Sequence, residues 1–113
     1  MKYRFDKNMR IMADLMTYCH QLGALDYHID MKHAEGVSHC TIRCAVPSID
    51  PERLAELDTE LNRPRQKEIE QNFWGLSGEN DIDAELTLVG MMVDKATITY
   101  ENGQLTIHCI RLD

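Results

Sequence analysis

The sequence predicts an α+β fold in which two helix-plus-β-hairpin units form one antiparallel sheet with the helices packed on one face. Three observations carry that reading. Apolar residues recur at three- and four-residue steps near the start, two pairs of segments alternate with period two, and Asn102-Gly103 sits between the last such pair. The first pattern is helical and the second is that of half-buried strands. Asn-Gly is the strongest short-range hairpin signal, because both central residues of a type I′ turn need positive φ.

Met9, Met12, Leu15 with Met16, Cys19 and Leu22 form the expected stripe of a helix over about 6–22, and Gly23 is placed to end it. Leu25, Tyr27, Ile29 and Met31 then alternate with Asp26, His28, Asp30 and Lys32. After the short loop His33-Ala34-Glu35-Gly36, Cys40, Ile42, Cys44 and Val46 share one side and His39, Thr41 and Arg43 the other. Asp50-Pro51 signals a helix start, since Asp accepts from free amides and proline at the first helical position sacrifices no bond. Leu54, Leu57 and Leu61 form the stripe of that helix, and Pro64 breaks it.

Ile69, Phe73 and Trp74 suggest a further short helical piece ending near Gly75, before the loop 75–80. Asn80 or Asp81 can cap a helix whose Ile82, Leu86 and Val89 share a face. In the last hairpin, pairing Glu101 with Gln104 sets Tyr100 opposite Leu105, Ile98 opposite Ile107 and Ala96 opposite Cys109, all on one side.

A chain of 113 residues is read as a single domain, 1–113. Helix, strand, turn, strand occurs over 6–46 and again over 81–111, joined by a helical connector over 50–75, and Thr41-Ile42-Arg43-Cys44 is echoed by Thr106-Ile107-His108-Cys109. This pattern is compatible with an internal duplication.

Composition narrows the function. The hydrophobic fraction of 43% and charged fraction of 27% are those of a globular protein. A formal net charge of −7, with the basic stretch at Arg63, Arg65 and Lys67 followed at once by Glu68 and Glu70, argues against a nucleic-acid partner. No apolar run approaches membrane-span or signal-peptide length, so no membrane partner and a cytoplasmic location with reduced cysteines are expected.

The segment most suggestive of chemistry is the polar side of the first hairpin, where Asp26, His28 and Asp30 share a face with His39. Imidazole and carboxylate ligate zinc and other divalent metals. An outward strand face is polar in any case, and this is the weightier explanation. Cys40 and Cys44 lie about 13 Å apart on a strand, too far for one metal, and read with Cys19 and Cys109 as core residues. The acids at 81–85 lack the glycine and terminal glutamate of a calcium loop. Phosphate loops, nucleophile elbows and dinucleotide fingerprints are absent from the sequence, which gives no support for an enzyme and implies no cofactor. Phe73 and Trp74, beside the glycine loop, are candidate anchors for a protein partner. The sequence therefore favours a non-enzymatic protein-interaction or adaptor module, possibly homodimeric. The alternative is a metal-binding or metal-dependent hydrolytic domain using zinc or another divalent metal at His28, His39, Asp26 and Asp30.

Overall fold

The computed structural model describes residues 4–66 and 89–112. Their order is α1 (Arg4–Gln21), β1 (Tyr27–Ala34), β2 (Val37–Ala45), α2 (Pro51–Leu61), β3 (Lys95–Glu101) and β4 (Gln104–Leu112). The strands form one antiparallel sheet in the order β1-β2-β4-β3, so the second strands of the two hairpins are neighbours at its centre. Both helices pack on the same side, α1 against β2 and the near part of β1, and α2 against β3. The α+β architecture expected from the sequence is present. None of the helices among the described residues is long and apolar enough to cross a membrane.

Local signals explain the boundaries. The Gly23 amide donates to the His20 carbonyl and the Ala24 amide to the Cys19 carbonyl, both at 3.0 Å, with Gly23 at φ +91°; this is the paired arrangement that closes a helix on a left-handed residue. Asp50 caps α2 by accepting from the Glu52 amide at 3.0 Å, ahead of Pro51. Asn62 ends that helix and turns its side-chain oxygen to the Ala96 amide, tying α2 to the start of β3.

Both hairpins close on two residues with positive φ, Asn102-Gly103 as expected and Glu35-Gly36 in the first hairpin, where φ is +53° and +78°. The four-residue stretch His33–Gly36 is thus a tighter turn than the sequence suggested, with Ala34 paired to Val37. Counted from the two turn glycines, Thr41 is equivalent to His108 and not to Thr106. The Thr-Ile-Arg-Cys echo is two residues out of step with the geometry of the hairpins.

The core is the inner side of the sheet, Cys40, Ile42, Cys44, Leu105, Ile107 and Cys109, under Ile11, Met12, Leu15, Tyr18 and Cys19 of α1 and Leu57 and Leu61 of α2. Met9, expected on the buried stripe, is 49% exposed. The buried stripe of α1 runs instead through Ile11 and Tyr18, so Met9 falls on its outer side one turn from Phe5, which is also exposed. The second hairpin is fixed to the β2–α2 connection at its tip, where the Tyr100 hydroxyl donates to the Val46 carbonyl at 2.7 Å and the Val46 amide to the Gly103 carbonyl at 2.8 Å. At the opposite end of that hairpin, Arg65 meets the Asp94 carboxylate at 2.8 Å, and the same carboxylate accepts from the Leu112 amide at 2.6 Å.

Most of the helix expected from Asp81 lies outside the described residues, Ile82 and Leu86 included, but residues 89–92 are helical and bury Val89 and Met92. Gly90 sits within this turn, and a Cβ there would collide with the Glu60 carbonyl of α2. Glycine here permits the approach of two helices. Gly→Ala in a helix interior ordinarily stabilises by about 1 kcal/mol. Gly90→Ala is expected to have the opposite sign, a loss of about 2 kcal/mol from overpacking against backbone, read as a lower urea midpoint.

Candidate functional site

Strict alternation along β2 and β4 divides the sheet. Cys40, Ile42 and Cys44 with Leu105, Ile107 and Cys109 face the helices, so His39, Thr41 and Arg43 with Thr106, His108 and Ile110 face the other way. Lys95, Thr97 and Thr99 of β3 and His28, Asp30 and Lys32 of β1 complete that second face. Among the described residues, no helix lies on it.

The four residues proposed as metal ligands do not converge there. The register pairs His28 with Arg43 and His39 with Lys32, which leaves the two histidines four residues, or about 13 Å, out of step along the sheet. The Asp26 carboxylate accepts from the Ala45 amide at 3.1 Å, closing the end of the β1–β2 ladder. Asp30 lies opposite Thr41 and pairs with Lys32 at 3.6 Å, both exposed. Among the described residues, no group of three or more His, Cys, Asp or Glu could hold a metal together. Phe73 and Trp74 lie outside the described residues.

His39 meets a partner that sequence reasoning did not single out. Its Nδ1 is 3.0 Å from Nε2 of His108, a diagonal neighbour across the β2–β4 seam. The ring planes differ by only 10° and the centroids are 5.2 Å apart, so the rings meet tip to tip along the nitrogen–nitrogen line. Such a contact requires one nitrogen to donate and the other to accept, and it is lost when both rings are cations. Burial and then the neighbouring His39 lower the His108 pKa below the ordinary imidazole value. Alternation places both residues outward, but only β2 beside β4 brings them together.

On the inner face all four cysteines are buried. Cys40 and Cys109 are cross-strand partners, and Cys19 of α1 is a close neighbour of Cys44 in the same core. Burial pushes the Cys40 thiol up to about 11 and the Cys109 thiol up to about 12, and it raises Cys19 and Cys44 as well. These are protonated packing groups and poor nucleophiles. A hollow of about 640 Å³ lies along α2 beside Tyr18, walled by Glu52, Arg53, Glu56 and Glu60. Its acids recur one helical turn apart on a wet helix face and do not converge on a point.

A different surface marks the edge of the sheet. Ile29 of β1, on the helix side by parity, is 47% exposed, and Leu25 just before the strand is 73% exposed. The sheet extends past its helix layer at this edge, and among the described residues nothing pairs with the outer side of β1. The other edge strand, β3, is partly occupied by Asn62 and α2.

No protein-family model matches the sequence, and no curated protein matches it significantly. The functional reading therefore stands on geometry.

Because native His108 resists a proton that the unfolded chain accepts, the stability contributed by neutral His108 is full above about pH 6.5 and is lost as pH falls through its lowered native pKa. Urea midpoints measured from pH 7.5 down to 5 should fall, and His108→Asn should make that fall shallower. An unchanged slope in the variant would assign the pH dependence to other groups.

Proposed function

We propose that this chain is a small non-enzymatic interaction module that pairs with a second copy of itself through β1. The observation that carries the reading is the β1 edge: eight residues of strand whose outer side is open among the described residues, with the apolar Leu25 and Ile29 left exposed beyond the helices. An open strand edge is a template for another strand, and soluble proteins cover, charge or pair such edges. Charge along β1 is self-complementary. Asp30 and Lys32 lie on the same face on either side of Met31, so antiparallel pairing about a two-fold axis at Met31 sets Asp30 of each copy opposite Lys32 of the other. The sheet would become continuous over eight strands, with the exposed Ile29 of each copy set opposite His33 of the other.

The test is a charge swap read by sedimentation equilibrium. The unmodified chain is expected to dimerise, Asp30→Lys to weaken the dimer by roughly tenfold through like charges at the seam, and Asp30→Lys with Lys32→Asp to restore it. A chain that stays monomeric at high concentration, or a double variant no tighter than the single one, would overturn the proposal.

A further inference from the structure

The His39–His108 pair has a geometry that the fold does not require. Solvated outward positions on a sheet have no need of a ring-to-ring contact, and the same face carries Thr41, Thr97, Thr99, Thr106, Lys32 and Lys95 without one. Two imidazole nitrogens 3.0 Å apart are, however, spaced as two ligands of one ion. With metal–nitrogen bonds of about 2.0–2.1 Å, that separation gives an angle at the metal of about 95°, close to the cis angle of square-planar or tetragonal coordination and narrower than the tetrahedral angle zinc prefers.

We infer that His39 Nδ1 and His108 Nε2 form a two-imidazole site for a divalent transition metal of the copper(II) or nickel(II) kind, on the face of the sheet away from the helices. The two nitrogens now face one another along the nitrogen–nitrogen line, one through its N–H and the other through its lone pair. A tilt of each ring by roughly 45° aims both at one point, and the broad torsion profile of histidine at χ2 permits it. Both rings are only partly buried, so the remaining coordination positions open to water. The neighbouring groups are compatible with a cation. His108 lies between Thr41 and Thr97, and Lys32, opposite His39, has its ammonium drawn to Asp30 at 3.6 Å. Metal entry moves the proton between the rings to the far nitrogen of the donating ring, so both rings stay neutral and each offers one lone pair, and the ring-to-ring hydrogen bond gives way to two metal–nitrogen bonds.

The other described histidines cannot substitute. His28 stands opposite Arg43, His33 Nδ1 is engaged by the Ser38 hydroxyl at 2.8 Å, and His20 lies at the far end of α1. The site is independent of pairing at β1, because both of its ligands come from one chain.

The test is titration of the tag-free full chain with copper(II), read by electron paramagnetic resonance with electron spin-echo envelope modulation to count bound imidazoles. One copper per chain carrying two imidazoles is expected, with His39→Ala and His108→Ala each leaving one imidazole and weakening binding by roughly tenfold or more, and His28→Ala changing neither. A single imidazole in the unmodified protein overturns the inference, as does undiminished binding in His108→Ala. The imidazole count in the unmodified protein decides the matter even if a variant fails to fold, and circular dichroism identifies such a variant.

Discussion

The pairing of β2 with β4 is the constraint on which the rest of the structure depends. Nine consecutive cross-strand partners, Val37 with Leu112 through Ala45 with Gln104, join the two hairpins at the centre of the sheet. Side chains alternate strictly along a strand, so this one register decides which residues the helices must cover. Cys40, Ile42, Cys44, Leu105, Ile107 and Cys109 are all fully buried, and a shift of one strand by a single residue would exchange part of that set for His, Thr and Arg. The cysteines suit this face because α1 lies close above β2, and small apolar side chains let a helix and a strand approach.

From the same register comes the unlikeness of the two faces. The inner side is mainly apolar, with Ser38 and Arg111 buried at one end of the seam, and is covered by α1, α2 and the turn at 89–92, Gly90 allowing the last of these to reach α2. The outer side carries His, Thr, Lys and Arg, and the seam that buries Cys40 against Cys109 also sets His39 beside His108. Pairing of the hairpins through their second strands pushes β1 and β3 to the edges. Of these, β3 is held by Asn62 and α2, whereas β1 projects beyond the helices with Ile29 partly bare. Edge and face are thus two consequences of one arrangement.

Much of this was legible residue by residue. Parity along 40–46 and 96–109, the Asn102-Gly103 turn, the Asp50-Pro51 start and the Gly23 stop are local signals, and local physics decided each of them. Glu35 was less legible, because a glutamate at positive φ costs about 1 kcal/mol and is held there by the ladder on either side. Met9 was misplaced because its spacing fits the stripe, while the angular centre of the buried face is set by Ile11, Leu15 and Tyr18. The His39–His108 contact could not be read at all, since the residues are 69 apart and meet only through a strand order that neither hairpin encodes alone. For the same reason parity alone groups His28 and His39, both outward on one hairpin, while the register sets them four residues out of step.

The most direct measurement is a nuclear Overhauser spectrum of the isotope-labelled chain, read across the central seam. Backbone contacts joining Ile42 to Ile107 and Cys40 to Cys109, together with ring-proton contacts between His39 and His108, are the expected result. Contacts displaced by one residue along β4, or contacts that place β1 or β3 at the centre of the sheet, would contradict the seam and with it both the closed inner face and the paired histidines.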